Sequence, residues 1–270
     1  MTHKKEKGAH ADMHLTSALN KEIMSEIREG DYQHPGEEEA IELVFKGIAQ
    51  HPDQLLLDVG CGRGGTASYL QNKGWGKVIG LDLNIEIIEF AKKKYEKEGE
   101  AFPRFLACDA TDVASCFSDI FSPKVKPDVI YLFNSFFLFD DHVKALKALR
   151  AIAHKNTKLI VFDYVDNGNY MENPYKENGK PFLPNCIKSS KIHNVFEDGG
   201  WKTSEIKNID EAYVCWYEEL MSKIESHREK HTQKYGEQTF SFFIQRYQHI
   251  LDALKDKRLS GSVIYAQNKV

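Results

Sequence analysis

The sequence predicts an α/β fold, a mostly parallel sheet with helices on both faces, on three observations. Short apolar runs alternate with segments of helical period between residues 51 and 165, the signature of strand–helix–strand crossovers. The first run, Leu55-Leu-Leu-Asp-Val59, feeds directly into the glycine-rich turn Gly60-Cys-Gly-Arg-Gly-Gly65. Three successive strands each close on a carboxylate: Asp58, Asp82 and Asp109. Ligands of open α/β sheets bind at the carboxyl ends of the strands, so glycines and acids converge on one edge.

The elements follow in order. A helix over 12–29 stops at Gly30, and Pro35 keeps 31–36 from being helical throughout. Residues 37–50 carry Ile41, Val44, Phe45 and Ile48 at helical spacing. Strand 55–59 precedes a helix over 65–72, and strand 77–81 precedes one over 85–98. Strand 102–107 leads into an irregular stretch with Phe117, Ile120 and Phe121. Strand 128–133, a helix over 141–153 and strand 158–165 complete the alternation. Residues 166–187 hold Gly168, Pro174, Gly179, Pro181 and Pro184 beside Tyr170, Tyr175 and Phe182, which predicts a long ordered loop. A helix over 189–196 ends at Gly199-Gly200, and a strand near 201–209 follows. Tyr213, Trp216, Tyr217, Leu220 and Ile224 mark one long helix, and apolar positions from Phe240 to Leu254 mark another. A last strand covers 261–266. The expected organisation is a disordered tail (1–11) and a single domain (12–270). Within that domain the parts are a helical cap (12–50), a cofactor-binding core (51–165), a substrate-cap insertion (166–260) and a closing strand (261–270).

Gly60, Gly62 and Gly65 fit the G-x-G-x-x-G spacing, which lets the backbone turn tightly and approach a ligand where a Cβ would collide. Asp82 stands 22 positions after Gly60, where an acidic side chain accepts hydrogen bonds from ribose hydroxyls. An adenosine-type cofactor is the expectation. Asp58 narrows it. A carboxylate two residues before Gly60 would repel a pyrophosphate and suits a cationic ligand free of phosphate, such as S-adenosylmethionine. Asp109 is placed to meet an adenine amino group.

Asp58, the glycines, Asp82 and Asp109 together resemble class I S-adenosylmethionine-dependent methyltransferases, over about residues 55–165. The resemblance implies a Rossmann-like seven-stranded sheet whose last strand closes it as an antiparallel edge. It also implies a cofactor site of Asp58, Gly60, Cys61, Gly62, Asp82, Leu83, Asp109, Ala110 and Asn134. The later half is loosely similar to small-molecule N-methyltransferases of the phosphoethanolamine and glycine, sarcosine or dimethylglycine types. That likeness rests on Asp163-Tyr164, Gly200-Trp201, Trp216-Tyr217-Glu218 and a short strand after Arg246-Tyr247. Phosphoethanolamine enzymes carry a catalytic Asp–His pair after the fourth strand; here Asn134 and Leu138 occupy those places. Tyr164 matches a substrate tyrosine of those enzymes. The run Asn134-Ser-Phe-Phe137 is similar to the Asn-Pro-Pro-Tyr motif of amide and nucleobase methyltransferases, but both prolines are absent, so that activity does not carry over.

Methyl transfer from an activated sulfonium needs positioning, exclusion of water and sometimes a base, with no obligatory triad or metal. The candidate acceptor-side residues are Asn134, Tyr164, Tyr32 and His34. Their acceptor is expected to be a small molecule, an amine nitrogen before a lipid-like or quinone oxygen or carbon. A cofactor-binding protein without turnover is the alternative from another class. Tyrosine and tryptophan faces attract ammonium groups by about 0.5–2 kcal/mol each. His193 is a further possible base, and Arg246 and Lys188 could meet an anionic acceptor, although long charged side chains on helices are usually solvated.

The composition is that of an ordinary globule, 41% hydrophobic and 28% charged, and a formal net charge of −4 argues against a general nucleic-acid binder. No apolar run of membrane-spanning length and no signal peptide are read, which makes a cytoplasmic location the expectation. Five cysteines without a Cys-x-x-Cys pair read as reduced thiols, and His3, His10 and His14 fit no metal spacing.

Overall fold

The computed structural model describes residues 15–118, 125–177 and 179–269. The expected tail (1–11), Ile120 and Phe121 lie outside the described residues. Five parallel strands form the centre: β1 (Leu55–Val59), β2 (Lys77–Asp82), β3 (Arg104–Ala107), β4 (Val129–Phe133) and β5 (Lys158–Asp166). With β6 (Trp201–Asn208) and β7 (Leu259–Asn268) they stand in the order β3-β2-β1-β4-β5-β7-β6. Strand β7 runs antiparallel to both its neighbours. The two-residue strand Ile187–Lys188 adds beside the end of β5. The last strand is therefore antiparallel, as expected, yet it is inserted between β5 and β6 rather than forming the edge. The edge is β6, whose exposed Lys202, Glu205 and Lys207 blunt it against further pairing.

β1 and β4 are buried at every position, which is why they read as continuous apolar runs rather than alternating ones. The pleat divides them between two cores. Leu56, Tyr131, Phe133 and Phe162 face the helices α1 (Ala18–Ile27), α2 (Glu37–Phe45), α3 (Gly65–Asn72) and α4 (Ile85–Tyr95). Leu57, Val59, Leu132 and Val161 face α5 (Val113–Ser118), α6 (His142–Ala151) and α7 (Ile192–Asp198). Three more helices, α8 (Asp210–Ser226), α9 (Arg228–Tyr235) and α10 (Glu237–Lys255), follow β6, and α8 and α10 join the first core.

Several boundaries move for local reasons. Helix α1 begins at Ala18, because Ser17 is extended and its Oγ accepts the Asn20 N–H at 3.2 Å, a side-chain cap. The irregular stretch after β3 contains the short helix α5. Helix α9 had no apolar period to reveal it; its one buried residue is His231, which meets Glu26 of α1.

The expectation of reduced thiols is corrected: Cys108 and Cys116 form a disulfide across Cα atoms 6.1 Å apart. Their separation of 8 residues is bent back by the turn at Ala110–Asp112 and by α5, a proximity that spacing alone does not disclose. Cys61 and Cys186 are buried and free, and Cys215 is exposed and free. Among the described residues no helix is long and apolar enough to cross a membrane, and no group of His, Cys, Asp or Glu could hold a metal ion.

Candidate active site

One cavity of about 790 Å³ opens at the carboxyl edge of the sheet. Its floor begins at the glycine turn. Gly60 has φ +79°, and a Cβ there would stand 2.4 Å from the Ser135 Cβ. Only glycine permits that approach, and Ser135 completes the junction by donating to the Val59 carbonyl at 2.7 Å. The turn after β1 and the turn after β4 are thus fitted to each other.

At the end of β2 the Asp82 carboxylate accepts from Gly62 N at 2.9 Å and Asn84 N at 3.0 Å, and Lys21 of α1 pairs with it at 3.3 Å. At the end of β3, Asp109 accepts from Thr111 N at 2.8 Å and caps the turn that follows. Gly60, Asp82, Leu83, Asp109, Ala110 and Asn134 line the cavity. Leu83 is 73% exposed, an apolar surface without cover beside the two acids. Asp58, Cys61 and Gly62 stand behind this wall rather than in it. Asp58 is 1% exposed, and its Oδ2 lacks a hydrogen-bond partner of good geometry among the described residues. Burial pushes its pKa up to about 8, the Asp82 charge adds to the shift, and Tyr131 and Lys21 oppose it.

On the opposite side Asn134 adopts φ +47°, a left-handed conformation that asparagine tolerates better than most residues. Its N–H donates to Phe162 O at 2.8 Å and its Oδ1 accepts from the Tyr213 hydroxyl at 3.2 Å. Its Nδ2 is buried with no hydrogen-bond partner among the described residues. The turn that presents it is held by Asp163, whose Oδ2 accepts from Phe136 N at 2.6 Å and Phe137 N at 3.2 Å. Burial pushes Asp163 up to about 7 although these N–H groups favour the ionised form. Tyr164 lies at the end of β5, and its hydroxyl touches that of Tyr217 on α8; both line the cavity with Tyr247 of α10.

The other two acceptor-side candidates lie outside the cavity lining. Tyr32 is half-buried and donates to Glu38 at 3.0 Å. His34 is 2% exposed, with Nδ1 on Pro35 O at 3.1 Å, Nε2 on Thr66 Oγ1 at 2.9 Å and its ring centroid 4.6 Å from that of Phe133. Burial pulls its pKa down to about 3. Trp216 is packing: it covers Gly36 and donates to Glu39. His193 is exposed and pairs with Thr203. Arg246 is not solvated; it is buried, forked onto Glu177, and donates to Asn20 at 2.9 Å.

Sequence reasoning missed one wall. Asn20, Lys21, Met24 and Arg28 of the first helix line the cavity. Asn20, Met24 and Arg28 recur at a spacing of four, which is one helix face. The signal was present, but a mixed stripe of that kind also describes a solvated face.

Residues 57–161 match the family model of a methyltransferase domain. An uncharacterized methyltransferase of Bacillus subtilis, YodH, is 38% identical over 74 residues, spanning 27% of this chain and 31% of that protein. The O-methyltransferase cnsE of Penicillium expansum is 24% identical over 195 residues, 68% of each chain. Among solved structures, phosphoethanolamine N-methyltransferase 2 of Haemonchus contortus, in complex with phosphomonomethylethanolamine and S-adenosylhomocysteine, superposes with a TM-score of 0.79. It is 16% identical, over 93% of this chain and 57% of the worm enzyme. The matched region is thus under a third of the bacterial protein and a little over half of the worm enzyme, and at 16% identity the likeness is one of fold. Residues 57–161 thus match a methyltransferase domain, and the chain that carries them has the fold of the class I S-adenosylmethionine-dependent methyltransferases.

Proposed function

We propose that this chain transfers a methyl group from S-adenosylmethionine to a small-molecule acceptor, an amine nitrogen. The observation that carries the reading is that one cavity is lined by Asp82 and Asp109 as well as by Asn134 and Tyr164. Its volume of about 790 Å³ suits a cofactor and a small second ligand. The cofactor fits the residues present: Gly60 brings bare backbone to the cavity lining, and the carboxylates of Asp82 and Asp109 offer acceptors for ribose and adenine donors.

In this reading Asp82 takes the ribose hydroxyls, Asp109 and Ala110 the adenine edge, and Leu83 covers the ring. Gly60 and Gly62 bring backbone close to the amino-acid end. Asp58, behind them, is kept protonated by burial up to about pH 8 and does not touch the ligand. S-adenosylmethionine supplies a methyl on a sulfonium that is already a good leaving group. Asn134, with its free Nδ2, orients the acceptor, and Tyr164 and Tyr217 present hydroxyls and ring faces to an amine. The described parts of the segments 12–50 and 166–260 act as caps that exclude water. Tyr32 and His34 support the entry turn instead of touching the acceptor; a histidine held neutral between two partners is poorly placed to take a proton from a ligand.

A second reading, O- or C-methylation of a lipid-like or quinone acceptor, draws on the apolar wall of Phe137, Leu138, Leu183 and Ile250 and on the O-methyltransferase relative. A panel of amines, phenols and carboxylates, scored for transfer of labelled methyl, separates the two. Turnover of amines alone supports the first, turnover of phenols alone the second. No turnover across the panel with S-adenosylhomocysteine still bound points to a binding protein without catalysis.

A further inference from the structure

The part of the cavity wall that takes the adenine edge in the proposed reaction lies inside a ring closed by a disulfide. Cys108, just after β3, is bonded to Cys116 of α5, and Asp109, Ala110 and Thr111 between them line the cavity, as does Cys108 itself. Both ends of this ring are anchored. The Cys108 N–H donates to Asp82 O at 2.9 Å, which ties the ring to β2, and Val113 and Phe117 hold α5 in the second core. The Asp109 carboxylate is held from inside the ring, by Thr111 N at 2.8 Å, whereas Asp82 is held from other elements by Gly62 and Lys21. Helix α5 has six residues, too few to be stable without tertiary support. The position of Asp109 therefore depends on the cross-link in a way that the position of Asp82 does not. The two cysteines are also unequally placed: Cys108 is 5% exposed, and Cys116 is half-buried.

We propose that the Cys108–Cys116 disulfide is a redox control on the cofactor site: closed, it holds the Asp109 turn in its binding shape, and its reduction by a dithiol frees the turn and weakens binding of the adenosyl ligand. The proposal rests on the methyl-transfer reading of this cavity. A thiolate of the dithiol attacks the sulfur of Cys116, the less buried residue; the Cys108–Cys116 bond breaks and Cys108 leaves as a thiolate. The reagent's second thiolate then attacks the mixed disulfide, Cys116 leaves in turn, and the reagent departs as a cyclic disulfide. Two electrons have passed to the protein, the reagent's two thiol protons end on Cys108 and Cys116, and a disulfide oxidant reverses both steps. Opening the ring gives the turn conformations that the ligand must remove again on binding, an entropic cost that the closed ring avoids. The coupling is reciprocal: bound ligand protects the disulfide by the same factor by which the disulfide tightens the ligand.

The test is calorimetry with S-adenosylhomocysteine on the full chain, oxidised and after treatment with dithiothreitol. The expected result is binding weaker by about fivefold or more after reduction. Cys61, Cys186 and Cys215 are already thiols, so Cys108–Cys116 is the source of any change that the reductant brings. Cys116→Ser, at a residue outside the cavity lining, binds as the reduced protein does and is indifferent to dithiothreitol. If that variant does not fold, the reciprocal measurement keeps the test open. In mixtures of reduced and oxidised dithiothreitol, with opened disulfide counted by alkylation, saturating S-adenosylhomocysteine raises the reagent ratio at half-opening by the same factor. A smaller change in affinity, tighter binding by the reduced protein, or a half-opening ratio unmoved by the ligand overturns the redox control while leaving the methyltransferase reading intact. Failure of S-adenosylhomocysteine to bind in either state overturns both.

Discussion

Asp58 and Asp82 end neighbouring strands, and the fold treats them in opposite ways. Asp82 faces the cavity, where two backbone N–H groups and Lys21 hold it ready. Hydrogen bonds to a charged group are worth about 1.5–3 kcal/mol, so Asp82→Ala should weaken S-adenosylmethionine binding about 10- to 100-fold by calorimetry; unchanged affinity removes the ribose assignment. Asp58 is sealed in the core and pushed up to about 8 from the ordinary 3.8. Between those values the unfolded chain has lost the proton that the folded chain keeps. The folded state then binds more protons, and stability falls as pH rises through that window. Asp58→Asn should therefore show a shallower fall in Tm between about pH 4 and pH 8 than the parent protein; identical slopes would mean that Asp58 does not carry the shift. Both acids were visible as strand ends. Which of them reaches the ligand was not, because period-2 alternation places a residue on one face of the sheet without saying what covers it.

At the scale of elements, the parallel core was legible because its signals are local: β1 and β4 are apolar at nearly every position, and glycine spacing fixes the turn after β1. The caps were less so. Their contacts join residues far apart in the chain, such as Arg246 with Asn20 and Trp216 with Glu39, and α9 has no apolar stripe at all. The fit of Gly60 against Ser135 joins the two turns that build the site, so Gly60→Ala should cost about 1–3 kcal/mol in backbone strain alone. It should lower Tm and abolish cofactor binding; a variant with parental Tm and affinity would contradict the packing described. Helix α1 walls the cavity with Asn20, Lys21, Met24 and Arg28. Amide exchange over 18–28 should slow about tenfold when S-adenosylhomocysteine binds, while α7, on the other face and outside the cavity lining, stays as it was. Equal protection in both would show that α1 does not close on the ligand.

For the molecule as a whole, the sheet brings glycine turn, acids, asparagine and tyrosines into one chamber, although they are spread from residue 60 to residue 247. The cysteines show where counting alone went wrong: an odd number without a Cys-x-x-Cys spacing concealed a pair brought together by a tight turn. Alkylation under native conditions should modify Cys215 alone. Denaturation without reductant should raise that to three thiols and reductant to five; five thiols without reductant would contradict the disulfide. The central claim is that this chamber is built for a cationic adenosyl cofactor. Titration calorimetry with S-adenosylmethionine tests it most directly. One site with a dissociation constant on the order of 1–100 μM, undisturbed by NADH and weakened by Asp82→Ala, is the predicted result; no binding of S-adenosylmethionine or S-adenosylhomocysteine, or displacement of either by NADH, would contradict it.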